Sequence, residues 1–203
     1  MTSKASSNIR VFAGLPLPDT VVQGLYRWTM NWQDRYSDWR VVSSHAFHIT
    51  LHFFGDIPVS EMDRLSGRMD ALQSSPIQAS LAKVGCFPEK GPPRVLFVGL
   101  NAGCEEIKTL YKRFHELIRS LGYREDKREF VPHITIARRR RGVGGMRSSD
   151  RARLSLLPND WRSEDRSVSE LEEPFTVDRL ILYESLLKPG GAEYIPVKQV
   201  PLL

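Results

Sequence analysis

The sequence predicts an α+β fold: two lobes related by a pseudo-two-fold axis, with two mostly antiparallel sheets lining a central groove and helices outside. Three observations carry that expectation. Strand-like and helix-like segments are mixed, and in two places one strand follows another directly, which disfavours a doubly wound parallel sheet. A strongly amphipathic helix occupies the middle of the chain. Finally, His48-Ile49-Thr50-Leu51 recurs 85 residues later as His133-Ile134-Thr135-Ile136, with that helix between the copies.

The elements follow in order. Residues 1–8 are small and polar and are expected to fray. Ile9 to Leu15 reads as a strand stopped by Pro16 and Pro18. Asp19 can cap a helix on which Val21, Leu25, Trp28 and Trp32 recur at helical spacing. Trp39–Val42 is a short strand, and His48–Phe54 a stronger one closed by Gly55-Asp56. Ser60 and Asp63 resemble a capping box before the stripe Met62, Leu65, Met69 and Leu72, which predicts a helix over 60–73. Ile77–Phe87 and Val95–Leu100 read as strands around a proline-rich turn. The third helix buries Ile107, Leu110, Tyr111, Phe114, Leu117, Ile118 and Leu121 and stops at Gly122. Val131–Ala137 is a further strand, 163–172 a short helix, and Phe175–Leu186 with Tyr194–Val200 a closing hairpin.

With 203 residues, 41% of them hydrophobic, the chain can bury a core without disulfides, and it is expected to form one bilobal domain over 1–203. Residues 139–173 form a long, arginine-rich and partly flexible stretch within it. No apolar run reaches the roughly 18–20 residues of a membrane span. The N-terminus lacks the apolar core of a signal peptide, so a cytoplasmic protein is expected. Cys86 and Cys104 read as small half-buried residues.

On a strand, residues two apart share a face. Each copy of the repeat therefore sets His and Thr on one face and apolar residues on the other. That alternation also puts His52 beside His48 and Thr50, as part of the groove wall. One such strand would be unremarkable. Two copies with the same His, Thr and apolar anchor suggest a shared site. Imidazole titrates near pH 6.5, so one ring can accept a proton while another donates one. In-line displacement at a phosphodiester needs that pairing, a base for the attacking oxygen and an acid for the departing one. Thr50 and Thr135 can donate to the non-bridging oxygens, and Arg138 is the first candidate for a bidentate clamp. The scheme needs no metal and no other cofactor. His45, His48 and His52 lie close in sequence, but positions four apart on a strand are separated by about 13 Å, too far for one ion. His115, in register with Lys108, Lys112 and Arg119, is expected to be solvated.

His-x-Thr-x at 48–51 and 133–136 resembles the signature of the 2H phosphoesterase superfamily. Residues 10–18, 47–55, 94–100, 130–138 and 183–194 are similar to successive blocks of its RNA 2',3'-cyclic phosphodiesterases, also called 2'-5' RNA ligases. The resemblance implies hydrolysis of an RNA 2',3'-cyclic phosphate end to a 2'-phosphomonoester. It implies His48 as proton donor to the departing 3' oxygen and His133 as proton acceptor from water. Thr50, Thr135 and Arg138 would hold the phosphate. The partner would be RNA with such an end or a related nucleotide, with no membrane and no obligate protein partner. Two alternatives remain open at this point: a phosphodiesterase for cyclic nucleotides or 2'-5' oligoadenylates, and a non-catalytic RNA-binding module. Residues 138–153 hold seven arginines and one aspartate, more positive charge than the net +5 of the whole chain. The basic excess is local, and it begins at the candidate phosphate ligand.

Overall fold

The computed structural model describes residues 8–33, 38–140, 171, 173–188 and 191–203. The arginine run beyond Arg140 and the helix expected near 163–172 lie outside the described residues, apart from Leu171. The elements are β1 (Asn8–Pro16), α1 (Asp19–Gln33), β2 (Trp39–Val41), β3 (His48–Pro58), α2 (Val59–Met69), β4 (Ile77–Ala79), β5 (Leu81–Phe87), β6 (Val95–Leu100), α3 (Cys104–Arg119), β7 (His133–Arg139), β8 (Phe175–Val177), β9 (Arg179–Lys188) and β10 (Gly191–Pro201). Among the described residues, no helix is long and apolar enough to cross a membrane.

The α+β class and the antiparallel pairing are as expected, with the strands divided between one large sheet and one small one. Seven strands run in the order β10-β9-β1-β3-β7-β6-β5, with β2 beside β7, while β4 and β8 form a separate two-stranded sheet. The half built on β1 and β3 meets the half built on β6 and β7 through one pair, Ile49 opposite Ile134. That pair sits at the centre of both repeated motifs, and both side chains are fully buried.

One apolar cluster backs the sheet, with Leu25 and Trp28 from α1, Leu65 and Met69 from α2, and Ile107, Leu110 and Phe114 from α3. Burial of side chains of this size stabilises by about 1.5–3 kcal/mol each. Because all three helices feed this cluster, the other face of the sheet is left open for chemistry.

Three local expectations change. The helix expected over 60–73 begins at Val59, with Pro58 at its N-cap and no side-chain cap, so the Ser60–Asp63 capping box does not form. The strands expected over 77–87 and 175–186 each break after three residues, at Ser80 and Asp178. Their first parts, β4 and β8, pair with each other, and their second parts join the large sheet. His115 is 3% exposed rather than solvated. The buried arc of α3 is wide, taking in 107, 110, 111, 114, 115 and 118, and an imidazole from β3 covers it at 115.

Candidate active site

The repeated motifs share a backbone device that alternation alone does not reveal. Along β3, Gly14 faces Thr50 and Ala13 faces His52, so Leu51 has no partner on β1. Along β7, Phe97 faces Thr135 and Leu96 faces Ala137, so Ile136 has none on β6. An extra residue of this kind is a β-bulge, which turns the following side chains to the other face. Both bulges fall on the third residue after the histidine. His48 and Thr50 therefore share the open face with Phe53, and His133 and Thr135 share it with Arg138. Strict alternation would have put Arg138 on the opposite face from His133.

His48 is held from behind. Its Nδ1 donates to the Ala46 carbonyl at 2.8 Å, which fixes the tautomer and leaves Nε2 as the acceptor. The Thr50 hydroxyl donates to that Nε2 at 3.0 Å. The ring lies 4.7 Å from Phe12 and meets Tyr194 edge-on at 5.2 Å, while Tyr183 stacks on Phe12 at 4.9 Å. A Cβ at Gly14 would stand 3.1 Å from His48 Cδ2 and 3.2 Å from the Ile49 carbonyl oxygen, so glycine makes room for the imidazole. Burial holds His48 at about 4, well below the usual histidine range. The Ala46 carbonyl works against that shift, and His133 and Arg138 add to it.

His133 repeats the arrangement with different neighbours. Its Nδ1 donates to the Val131 carbonyl at 2.7 Å, so it too presents Nε2. Phe87 and Phe97 stack at 4.3 Å and meet the imidazole at 5.0 and 5.2 Å. Phe97 lies over Gly85, where a Cβ would come within 2.4 Å of its ring. Burial lowers the His133 pKa, against the Val131 hydrogen bond and with the help of Arg138. Thr135 makes no side-chain hydrogen bond among the described residues, so its hydroxyl is uncommitted.

Arg138 is exposed, and its charge reaches His48, His133 and Tyr194. All five residues expected at the site, His48, Thr50, His133, Thr135 and Arg138, thus lie on one face of adjoining strands. Two neutral imidazoles, two hydroxyls and a guanidinium can accept a proton, supply a proton and hold an anion. Among the described residues no group of His, Cys, Asp and Glu is arranged to hold a metal ion. Beyond Tyr194 a depression of about 670 Å³ opens, lined by Ser43, His45, Lys188 and residues 191–194.

His52 does not join the groove wall. The bulge at Leu51 turns it toward α3, where its Nδ1 donates to His115 Nε2 at 2.9 Å, while His115 Nδ1 donates to the Tyr111 carbonyl at 2.9 Å. The aromatic support of the two histidines was missed, although a signal for it exists. Phe12, Gly14 and Leu15 correspond to Phe97, Gly99 and Leu100 at the same 85-residue interval as the motifs.

Known proteins share this architecture. A Thermus thermophilus protein named RNA 2',3'-cyclic phosphodiesterase is 33% identical over 208 residues, covering 96% of this chain and 90% of that one. The matched stretch spans little more than half of two further relatives of that name, 56% of the Aeropyrum pernix protein and 57% of the Geobacillus stearothermophilus protein. The crystal structure of E. coli LigT in apo form superposes with a TM-score of 0.71 at 19% identity, covering 97% of this chain and 99% of that one, and so shares the fold. The model of the 2'-5' RNA ligase superfamily matches residues 18–188, a span that includes both His-x-Thr-x strands and Arg138, and the chain belongs to that superfamily.

Proposed function

We propose that the protein hydrolyses the 2',3'-cyclic phosphate end of an RNA to a 2'-phosphomonoester, with His48 as the acid and His133 as the base. The observation that carries this reading is the pair of Nδ1-protonated imidazoles presenting Nε2 on one face, beside an exposed arginine. The names of the relatives support the same reading. A water oxygen attacks phosphorus while its proton passes to His133 Nε2. The bond from phosphorus to the 3' oxygen breaks, and that oxygen takes a proton from His48 Nε2. Thr50, Thr135 and Arg138 donate to the non-bridging oxygens as charge builds on them.

Burial and Arg138 disfavour a second positive charge and keep both rings neutral. The anionic phosphate reverses that balance and favours the protonated form of His48. The Thr50 hydroxyl, which donates to Nε2 of the neutral His48 ring, is then released toward the phosphate. With a 5'-hydroxyl in place of water, the same steps form a 2'-5' linkage and regenerate the 3'-hydroxyl. Water competes with that reaction as the nucleophile. No cofactor takes part, and no partner protein is required. Each histidine comes from a different half, so we read the chain as one functional unit, working in the cytoplasm on RNA ends.

Incubation with a cyclic-phosphate oligonucleotide in EDTA should give the 2'-phosphate at an undiminished rate. A 3'-phosphate product, or dependence on added metal, would overturn the reading. The same incubation with cyclic nucleotides and 2'-5' oligomers ranks the competing substrates.

A further inference from the structure

Arg40 and Arg138 are direct cross-strand partners on β2 and β7. The Ile136 bulge turns Arg138 onto the open face. Trp39 is 2% exposed and lies in the core cluster, so its neighbour Arg40 points the other way, onto that same open face. Both arginines are exposed. Like charges placed directly opposite on a sheet are destabilising. Proteins usually relieve such a pair with a carboxylate, yet none of the ion pairs among the described residues includes Arg40 or Arg138. The backbone that carries them is pinned on both sides, by Val42 N–H to the Ile136 carbonyl at 2.9 Å and Arg140 N–H to the Asp38 carbonyl at 2.8 Å. The result is two exposed arginines on directly opposed backbone positions at the edge of the site, with no carboxylate paired to either among the described residues.

On the proposed function, Arg138 is occupied by the reacting phosphate. Arg40, one strand spacing or about 4.8 Å further along the sheet, is then available for a second anion. We propose that Arg40 binds the phosphodiester on the 5' side of the terminal nucleoside, so that the site is built for the end of an RNA chain rather than for a nucleoside cyclic phosphate alone. The inference rests on that function for the identity of the first phosphate.

The test compares binding of product-type ligands with turnover. The dissociation constants of a nucleoside 2'-phosphate, its 5'-phosphorylated form and a trinucleotide ending in a 2'-phosphate are measured on the wild type, Arg40→Gln and Arg40→Lys. KM values for the matching cyclic phosphates are measured in parallel. A charge-assisted contact of about 1.5–3 kcal/mol corresponds to a gain of roughly tenfold or more from nucleoside to trinucleotide in the wild type. Arg40→Gln should remove most of that gain, and Arg40→Lys should restore part of it. The slope of log affinity against log salt for the trinucleotide should fall by about 0.7 in Arg40→Gln, one phosphate contact fewer on a single strand. Relief of the arginine pair should leave the melting temperature of empty Arg40→Gln no lower than that of wild type, which a merely structural role would not predict. Equal affinity of wild type for nucleoside and trinucleotide overturns the proposal. So does a gain that survives Arg40→Gln with its salt slope intact. The 5'-phosphorylated nucleoside carries its second phosphate at the same position and should capture much of the gain; if it shows none, the extra affinity of the trinucleotide comes from elsewhere on the chain and the assignment of Arg40 fails. Absence of turnover with the binding gain intact counts against the proposed hydrolysis and still supports Arg40.

Discussion

In the β1–β3 half, His48 rests on Phe12, receives the Thr50 hydroxyl and is followed on the open face by Phe53, which is 62% exposed. In the β6–β7 half, His133 meets Phe87 and Phe97, takes no hydroxyl from Thr135 and is followed at the equivalent position by Arg138. Strand, bulge, tautomer-fixing carbonyl and supporting phenyl ring are repeated, while the groups that tune charge are different. On the proposed function, the comparison offers a way for two similar backbones to supply an acid and a base. Both halves orient Nε2 in the same way. The charge of Arg138 acts on both rings. On the proposed function it is therefore their unlike neighbours, the Thr50 hydroxyl on His48 and Phe53 where the other half has Arg138, that let a single bound phosphate distinguish them.

The largest expected effect is loss of either histidine. His48→Ala and His133→Ala should each lower kcat by about 10²–10⁴-fold, and the double variant should be little worse than either single one, because acid and base act in one step. A variant that keeps more than a tenth of the wild-type rate would break the equivalence of the halves. Next come the supporting rings. Phe12 is 1% exposed, so Phe12→Ala should destabilise the fold by about 3–5 kcal/mol. Phe97, only half-buried, should cost less when replaced by alanine. Denaturant midpoints at constant m-value decide the order, and a reversed order would mean that the two rings are not counterparts.

Smaller still is the contrast at the position after each bulge. Arg138→Ala should lower kcat by about 10²–10³-fold, the range for removing a donor to a developing anion. Phe53→Ala should act mainly on KM, and equal losses in kcat would remove the proposed asymmetry. The smallest effect is on stability against pH. His48 is held at about 4 in the folded chain against 6.5 in the unfolded one, and His52 likewise. Between those values the unfolded chain binds more protons, so stability rises with pH there and is lost as pH falls from about 6.5 toward 4. His48→Gln should flatten part of that slope, which a series of urea titrations would detect. An unchanged slope would mean that His48 is not held neutral.

The pairing of His48 with Thr50 and of His133 with Thr135 was legible because it depends only on the two-residue period of a strand. Arg138 could be nominated from its position after the motif, but its face could not be deduced. That depends on Ile136 having no partner on β6, a property of register between strands far apart in sequence. The same limit explains His52, which alternation puts in the groove and the bulge at Leu51 turns toward α3. His115 sat among lysines and an arginine on a helical wheel, and only the arrival of His52 from β3 made its burial favourable. Arg40 carried no signal of its own, since its meaning comes from the residue β7 sets opposite it.

The most direct test of the division of labour uses a nucleoside 2'-phosphodiester of para-nitrophenol, whose leaving group departs without a proton. On the RNA cyclic phosphate both His48→Ala and His133→Ala should be severely impaired. On the para-nitrophenyl diester His48→Ala should recover most of the wild-type rate, whereas His133→Ala should remain impaired. Recovery of His133→Ala in place of His48→Ala, or equal impairment of both on the activated diester, would contradict the assignment of His48 as acid and His133 as base.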